Sequence, residues 1–371
     1  MPALESITIQ GFKSIASIEK LQLRPINVVI GPNGAGKSNF IGVFSFLNAI
    51  REGKLQEYVL RNNGAEKIMH FGSKRTQQVH LKIFFKDHVN QYEIVLKPSS
   101  NDELIPVLEF GYYWDRARYS QPMDVPIEKI GKEAGISANG LTRVLGYVAT
   151  HLERWRVYHF HDTSASSPMK KTAEVKDNRF LRADASNLAA FLYRLRQQFL
   201  PSYELIRKSV QRVAPFFDDF RLEPQALNPN NIQLEWKHKQ SDAYFDASSL
   251  SDGTLRFIAL ATLLLQPEIL RPSVILVDEP ELGLHPYAIT MLAALVRQAS
   301  VKTQIILSTQ SPLLLDQFEP EDVLVAHQQN GGTSFSRLDG LRLKSWLEDY
   351  SLGQLWEKGE LGGRPGEEPL P

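Results

Sequence analysis

Three short stretches of this 371-residue chain carry residue types suited to phosphate chemistry. The first, Gly31-Pro32-Asn33-Gly34-Ala35-Gly36-Lys37-Ser38, spells G-x-x-x-x-G-K-S. It lies between a β-branched run, Ile26–Ile30, and a segment in which Phe40, Ile41, Phe44 and Leu47 recur at helical spacing. Glycines let the backbone wrap a phosphate where side chains would collide, and the N–H groups of the following helix start add positive potential. Lys37 suits contact with terminal phosphates, and the Ser38 hydroxyl suits Mg2+. Gly31, Asn33, Gly34, Gly36, Lys37, Ser38 and the adjoining Asn39 are the candidate nucleotide-binding residues.

In the second stretch, four apolar residues (274–277, VILV) run straight into Asp278-Glu279-Pro280. That order places carboxylates at the carboxyl end of a central strand, where open α/β sheets bind ligands. Asp278 would hold Mg2+, and Glu279 would orient or deprotonate an attacking water. The third stretch, Leu250-Ser251-Asp252-Gly253-Thr254, precedes the apolar run 254–265. Ser251 or Asp252 would cap that helix and leave its first N–H groups to an anion. Alone this is an ordinary N-cap; its place about 25 residues ahead of the acidic strand end favours the phosphate reading.

The elements that must position these groups follow from periodicity. Residues 5–10 alternate apolar and polar as a half-buried strand does, and strands expected at 79–86, 91–97 and 107–114 form an antiparallel subdomain. Residues 120–140 read as a linker and 164–177 as a polar, basic, mobile loop. Apolar residues at helical spacing over 187–214 are split by Pro201 into two helices. Strands follow at 231–236, 274–277 and 304–307, then a hairpin over 322–338 turning at Asn330-Gly331-Gly332, a helix near 344–357 and a polar tail. No internal repeat or long heptad run is present in the sequence.

GPNGAGKS, LSDGT, ILVDEPELGLHP and STQSP, in that order, resemble the phosphate loop, signature, acidic strand with its following loop, and switch of ABC-type ATPases. Glu281-Leu282-Gly283-Leu284-His285-Pro286 and the opening ITIQGFKSI resemble the RecF/SMC-like branch and the ATPase half of OLD-family proteins. The stretches 187–192 and 345–356 resemble stand-alone ATPases of that branch. The resemblance implies an α/β P-loop ABC-type ATPase head with an antiparallel β subdomain and a helical insertion. It divides the chain into an N-terminal head part (1–120), a helical, basic insertion (121–230) and a C-terminal head part (231–371). It further implies ATP and Mg2+ as cofactors and a head-to-tail homodimer, or a higher oligomer, with ATP between subunits. One copy's phosphate loop would face Ser251 and Gly253 of the other.

Two positions depart from the family pattern. Asp252 stands where Gly is common, putting a carboxylate near a phosphate, and Gln310 stands where His is usual. Gln can donate a hydrogen bond to a terminal phosphate but carries no proton at neutral pH, so turnover is expected to be slow. Glu279, Gln310 and Lys37 are the candidate catalytic residues, and Gln77 and Gln78 are bare guesses for the family's glutamine loop.

Composition narrows the alternatives. With 42 Lys+Arg against 42 Asp+Glu and no cysteine, the chain has no net electrostatic pull, no thiol nucleophile and no Cys-ligated metal. No apolar run approaches 18 residues and the first 19 lack a signal peptide's core, so a cytoplasmic protein without a membrane partner is expected. Neutrality conceals opposed regions: residues 151–213 hold twelve Lys/Arg and six Asp/Glu, residues 214–285 five and eleven. Arg154, Arg156, Lys170, Lys171, Lys176, Arg179, Arg182, Arg194 and Arg196 offer a DNA-backbone contact or simply a solvated face. His159-x-His161 looks like a strand metal pair but lacks a third ligand at convincing spacing, so it reads as structural. His285 reads equally as a nucleotide contact or a turn residue. OLD-family proteins carry a nuclease after the ATPase, and nothing after the switch segment here supplies its Glu and D-x-D cluster, so the resemblance implies a separate nuclease or toxin partner. An ATP-gated DNA machine acting in repair or anti-phage defence is favoured over an ATP-switched scaffold for such an effector, and both over a transporter cassette.

Overall fold

β-Branched runs buried on both faces build a parallel sheet, and that sheet carries the site. A computed structural model describes residues 4–329 and 331–362. Its central sheet has the strand order Gly332–Arg337, Val323–Gln329, Ile26–Ile30, Gln304–Ser308, Val274–Asp278, Trp155–Tyr158. All neighbours are parallel except the closing hairpin Val323–Gln329/Gly332–Arg337. Alternate residues feed two cores. Val28, Ile275, Val277, Ile305 and Leu307 face one with the helices Leu188–Gln198, Leu200–Val213, Asp252–Leu265 and Pro286–Ser300. Val29, Val274, Leu276 and Ile306 face the other, with the helix Lys37–Arg51 and the antiparallel sheet.

That antiparallel sheet runs Ile15–Gln22, Leu4–Phe12, Val79–Phe85, Asn90–Pro98, Leu104–Tyr113, Met123–Pro126. The expected antiparallel subdomain is therefore present, with three strands more than the pattern at 79–114 revealed. On it Glu93 accepts from Lys82 Nζ (2.8 Å) and Tyr112 Oη (2.8 Å) and pairs with His80 Nε2 (2.7 Å). The His80 hydrogen bond, more than burial opposes, holds its carboxyl down at about 2. Because the folded value is depressed, the stability it contributes is present above the ordinary 4.5 and is lost as pH falls toward 2. Glu93→Gln should cost about 1 kcal/mol at pH 7, discounted for the side chain's solvent exposure, with the gap to wild type closing below pH 4.5 in urea titrations.

Residues 121–230 are built into both sheets. They give the antiparallel sheet its edge Met123–Pro126 and the central sheet its edge Trp155–Tyr158, and their helices share a core with the acidic strand. The physical reason is the apolar content of both edge strand and helices: Trp155, Tyr158, Phe191 and Leu192 are buried and need the sheet to cover them. The stretch 164–177, expected to be a mobile loop, is instead anchored by buried Ser167 and Met169 and by pairing of Ala173–Glu174 with Asn231–Ile232. Pro201 does divide two helices, with Phe199 (φ −138°) between them. The final helical stretch is two helices, Gly340–Asp349 and Leu352–Lys358, the second closed by a Ser351/Gln354 capping box. Asn330 and the tail beyond 362 lie outside the described residues.

Candidate active site

The G-x-x-x-x-G-K-S turn leaves strand Ile26–Ile30 and enters helix Lys37–Arg51, whose N-terminus has no side-chain cap. Gly36 occupies that cap position at φ +99°, and a Cβ there would collide with the Thr333 hydroxyl, so only glycine brings the turn this close to the hairpin. Lys37 Nζ folds back on the carbonyls of Gly31 (2.7 Å) and Pro32 (3.2 Å). Burial pushes its pKa down, while Glu279 and Asp278 counter the shift. Asn33, Gly34 and Ser38 are exposed on the turn. The amide of Asn39 donates to Ser14 Oγ (2.7 Å), which also receives the Thr333 hydroxyl (2.8 Å), bracing the turn from behind. An uncapped helix start and a buried ammonium bonded to main-chain carbonyls fit a nucleotide's phosphates, and the exposed Ser38 hydroxyl and the Asp278 carboxylate are oxygen donors of the kind that fits Mg2+.

Asp278 ends its strand in register with Ser308, whose hydroxyl donates to Asp278 Oδ1. Glu279 follows at φ +41°, a left-handed backbone that costs a non-glycine residue about 1 kcal/mol or more. Its N–H donates to Ser308 O (2.9 Å), and Gln310 Nε2 donates to its Oε1 (2.7 Å). Gln310, expected to donate to a terminal phosphate, donates here to the neighbouring carboxylate. Behind it, buried Glu281 accepts from Thr309 Oγ1 while its Oε2 has no partner among the described residues. Burial raises the Glu281 pKa.

Ser251 caps helix Asp252–Leu265, accepting from Thr254 N–H (3.2 Å) as expected. Asp252 pairs with Lys170 Nζ (3.5 Å) of its own chain. Gly253 lies against the carbonyl of Gly283, and a Cβ would collide with it. The sequence reading missed Arg256. This buried guanidinium donates from Nε to Phe160 O (2.8 Å) and from Nη2 to His161 O (3.0 Å), tying the signature helix to the edge strand's exit. A lone arginine inside TLRFIALATLLL was the available signal, since a buried guanidinium demands partners.

The residues offered for the glutamine loop lie away from the acidic strand end. Gln77 and Gln78 adjoin strand Val79–Phe85 of the antiparallel sheet, whereas the residues leaving the strand beside Asp278 are His159 and His161. His285 takes the turn role: its Nδ1 accepts from Tyr287 N–H (3.3 Å) as cap of Pro286–Ser300. Of the basic set, Lys170, Lys176 and Arg182 pair with Asp252, Glu174 and Asp177. Arg154, Arg156, Arg179 and Arg194, joined by Arg271, line one cleft of about 360 Å³.

Fold and site together define a P-loop ATPase of the ABC/SMC-like class. The model of the family described as "AAA domain, putative AbiEii toxin, Type IV TA system" matches residues 26–316, and the chain belongs to that family. Shorter stretches are similar to the Chromosome partition protein Smc of Mycobacterium leprae (30% identical over 105 residues, 28% of this chain and 8% of that protein). The Smc of Desulfitobacterium hafniense is 38% identical over 86 residues, 22% of this chain and 7% of that one. The chain therefore spans under a tenth of the length of these relatives. Among solved structures, the SmcHead bound to the C-winged helix domain of ScpA superposes with TM-score 0.60 at 14% identity, over 93% of this chain and all of that one. The Smc head with an extended coiled coil bound to the C-terminal domain of ScpA, derived from Pyrococcus furiosus, gives 0.58 at 15%, over 94% and 99%. At such identity the likeness is one of fold. Membership carries the general activity of the class, ATP binding and hydrolysis. Among the described residues no helix is long and apolar enough to cross a membrane.

Proposed function

We propose that two copies of this chain close head to tail around Mg2+ and ATP, and that slow hydrolysis reopens them to time a DNA-directed event. Two groups of candidate residues support this reading. Lys37, Asp278 and Glu279 interact within one chain, while Ser251 stands exposed at the start of a helix whose first turn suits an anion. Ser38 and Asp278 would hold Mg2+, Lys37 would neutralise the terminal phosphates, and Glu279 would take the proton of the attacking water. The Gln310–Glu279 hydrogen bond keeps that carboxylate in place without adding a titrating group. Closure would convert ATP binding into a change of shape that hydrolysis reverses. The arginine-lined cleft suits a phosphate backbone.

A second reading, an ATP-switched scaffold for a separate nuclease or toxin without DNA contact, draws on helix Gly340–Asp349. That helix exposes the apolar side chains of Leu341 and Trp346, each available to a protein partner.

Sedimentation with and without Mg2+ and ATP tests closure. Wild type should double its mass with ATP, and Ser251→Arg, which crowds the exposed helix start, should stay monomeric while still binding nucleotide. A nucleotide-loaded wild type that remains monomeric at tens of micromolar overturns the proposal. DNA retained by the closed form, with affinity falling steeply as salt rises, favours the first reading; closure without DNA retention favours the second. Gln310→His should raise turnover severalfold and give it a pH dependence near an ordinary imidazole pKa of about 6.5. An unchanged rate and flat profile would mean that position 310 does not limit turnover.

A further inference from the structure

The ligand arrangement beside the acidic strand end points to a cation other than Mg2+. His159, His161 and Asp278 each place a ligand atom within 4.8 Å of the others, the one such grouping of three among the described residues. The grouping arises from sheet pairing. Strand Trp155–Tyr158 runs parallel to Val274–Asp278 with Tyr158 opposite Val277, so the residues that follow emerge beside Asp278. Phe160 is buried and the histidines on either side are exposed, which sets both rings on one face, 6.3 Å apart between centroids and 29° from coplanar.

The supporting groups hold the three ligands in place. His159 N–H donates to Ala183 O (2.9 Å), and Arg256 fixes the carbonyls of Phe160 and His161. Ser308 engages Asp278 Oδ1, which leaves the carboxylate's second oxygen for an ion. Such outer contacts orient metal ligands and keep their affinity. Ligand atoms about 2.1 Å from a shared ion stand about 3–3.5 Å apart, so small side-chain rotations suffice to close the set.

We propose that His159, His161 and Asp278 bind a first-row transition-metal ion, of the Mn2+, Fe2+, Co2+ or Zn2+ kind, in the nucleotide-free protein. Two imidazoles and one carboxylate leave coordination positions open for water or phosphate, and this donor set suits such ions. Mg2+ demands oxygen ligands and gains little from imidazole. The assignment of those open positions to ATP rests on the proposed nucleotide site; metal binding itself does not.

The test uses the full chain, stripped of metal with a chelator and titrated with Co2+ in the absence of nucleotide. Calorimetry and the visible absorption of bound cobalt should report one ion per chain, held at least about tenfold tighter than Mg2+. The double variant His159→Ala/His161→Ala should lose that binding at least about tenfold while keeping the wild-type melting curve, both rings being exposed. Binding of Co2+ no tighter than Mg2+, or unchanged in the double variant, overturns the site. ATP binding is measured in parallel on the same protein. A protein that takes up Co2+ but no ATP would retain this inference and lose the proposed nucleotide role.

Discussion

Glu279→Gln should lower ATP turnover by about 100-fold or more while leaving ATP binding intact, so that closed dimers accumulate. The substitution is nearly isosteric, and its amide oxygen can still accept from Gln310 Nε2, which donates to Glu279 Oε1 at 2.7 Å. The main-chain bond from residue 279 to Ser308 O is untouched, so the left-handed turn at φ +41° should persist. What disappears is a carboxylate able to accept a proton from water. Charge at the strand end also falls by one, which removes a repulsion against the terminal phosphates and should tighten ATP. Single-turnover hydrolysis together with size-exclusion of the ATP-loaded variant measures both effects. A rate within fivefold of wild type would transfer the base to another group. Glu281 would then be next, although its buried carboxyl has a raised pKa and already accepts from Thr309.

The parts of this site that local sequence specified are those in which one short segment supplies both shape and chemistry. Gly31–Ser38 needed only its flanking strand and helix, and Ser251 needed only the N–H of Thr254 three residues on. The buried strands were legible because runs such as VILV leave no polar face for solvent. The illegible parts depend on pairing between distant segments. His159 and His161 gain Asp278 only because Trp155–Tyr158 lies beside Val274–Asp278, a neighbour relation that no spacing encodes. Asp252 near a phosphate looked like a fault until Lys170, 82 residues earlier, supplied its counter-charge. The same non-local pairing draws residues 121–230, the helical, basic insertion that the resemblance implied, into both sheets.

Arg256→Ala should be the most destabilising single change at the site, costing about 3 kcal/mol in urea titrations and lowering turnover in proportion to the misplaced strand exit. Hydrogen bonds from a charged donor contribute about 1.5–3 kcal/mol each, and this guanidinium makes two, to Phe160 O and His161 O. Its stem is packed too, since the residue is only 6% exposed. Against this stands the cost of desolvating the charge, which burial expresses as a lowered pKa, so the full sum of both bonds is not recovered. Alanine would leave two carbonyls without donors and remove the positive charge that interacts with Glu281 and Asp252. Arg256→Lys should fall between wild type and alanine: it keeps the charge, but a single ammonium reproduces the two-pronged grip poorly. If Arg256 merely fills space, Arg256→Met should be as stable and as active as wild type. If it positions the edge strand's exit beside Asp278, Arg256→Met should keep most of the packing yet lose turnover, and Co2+ affinity should fall with it. That split between stability and function separates a filler from a brace.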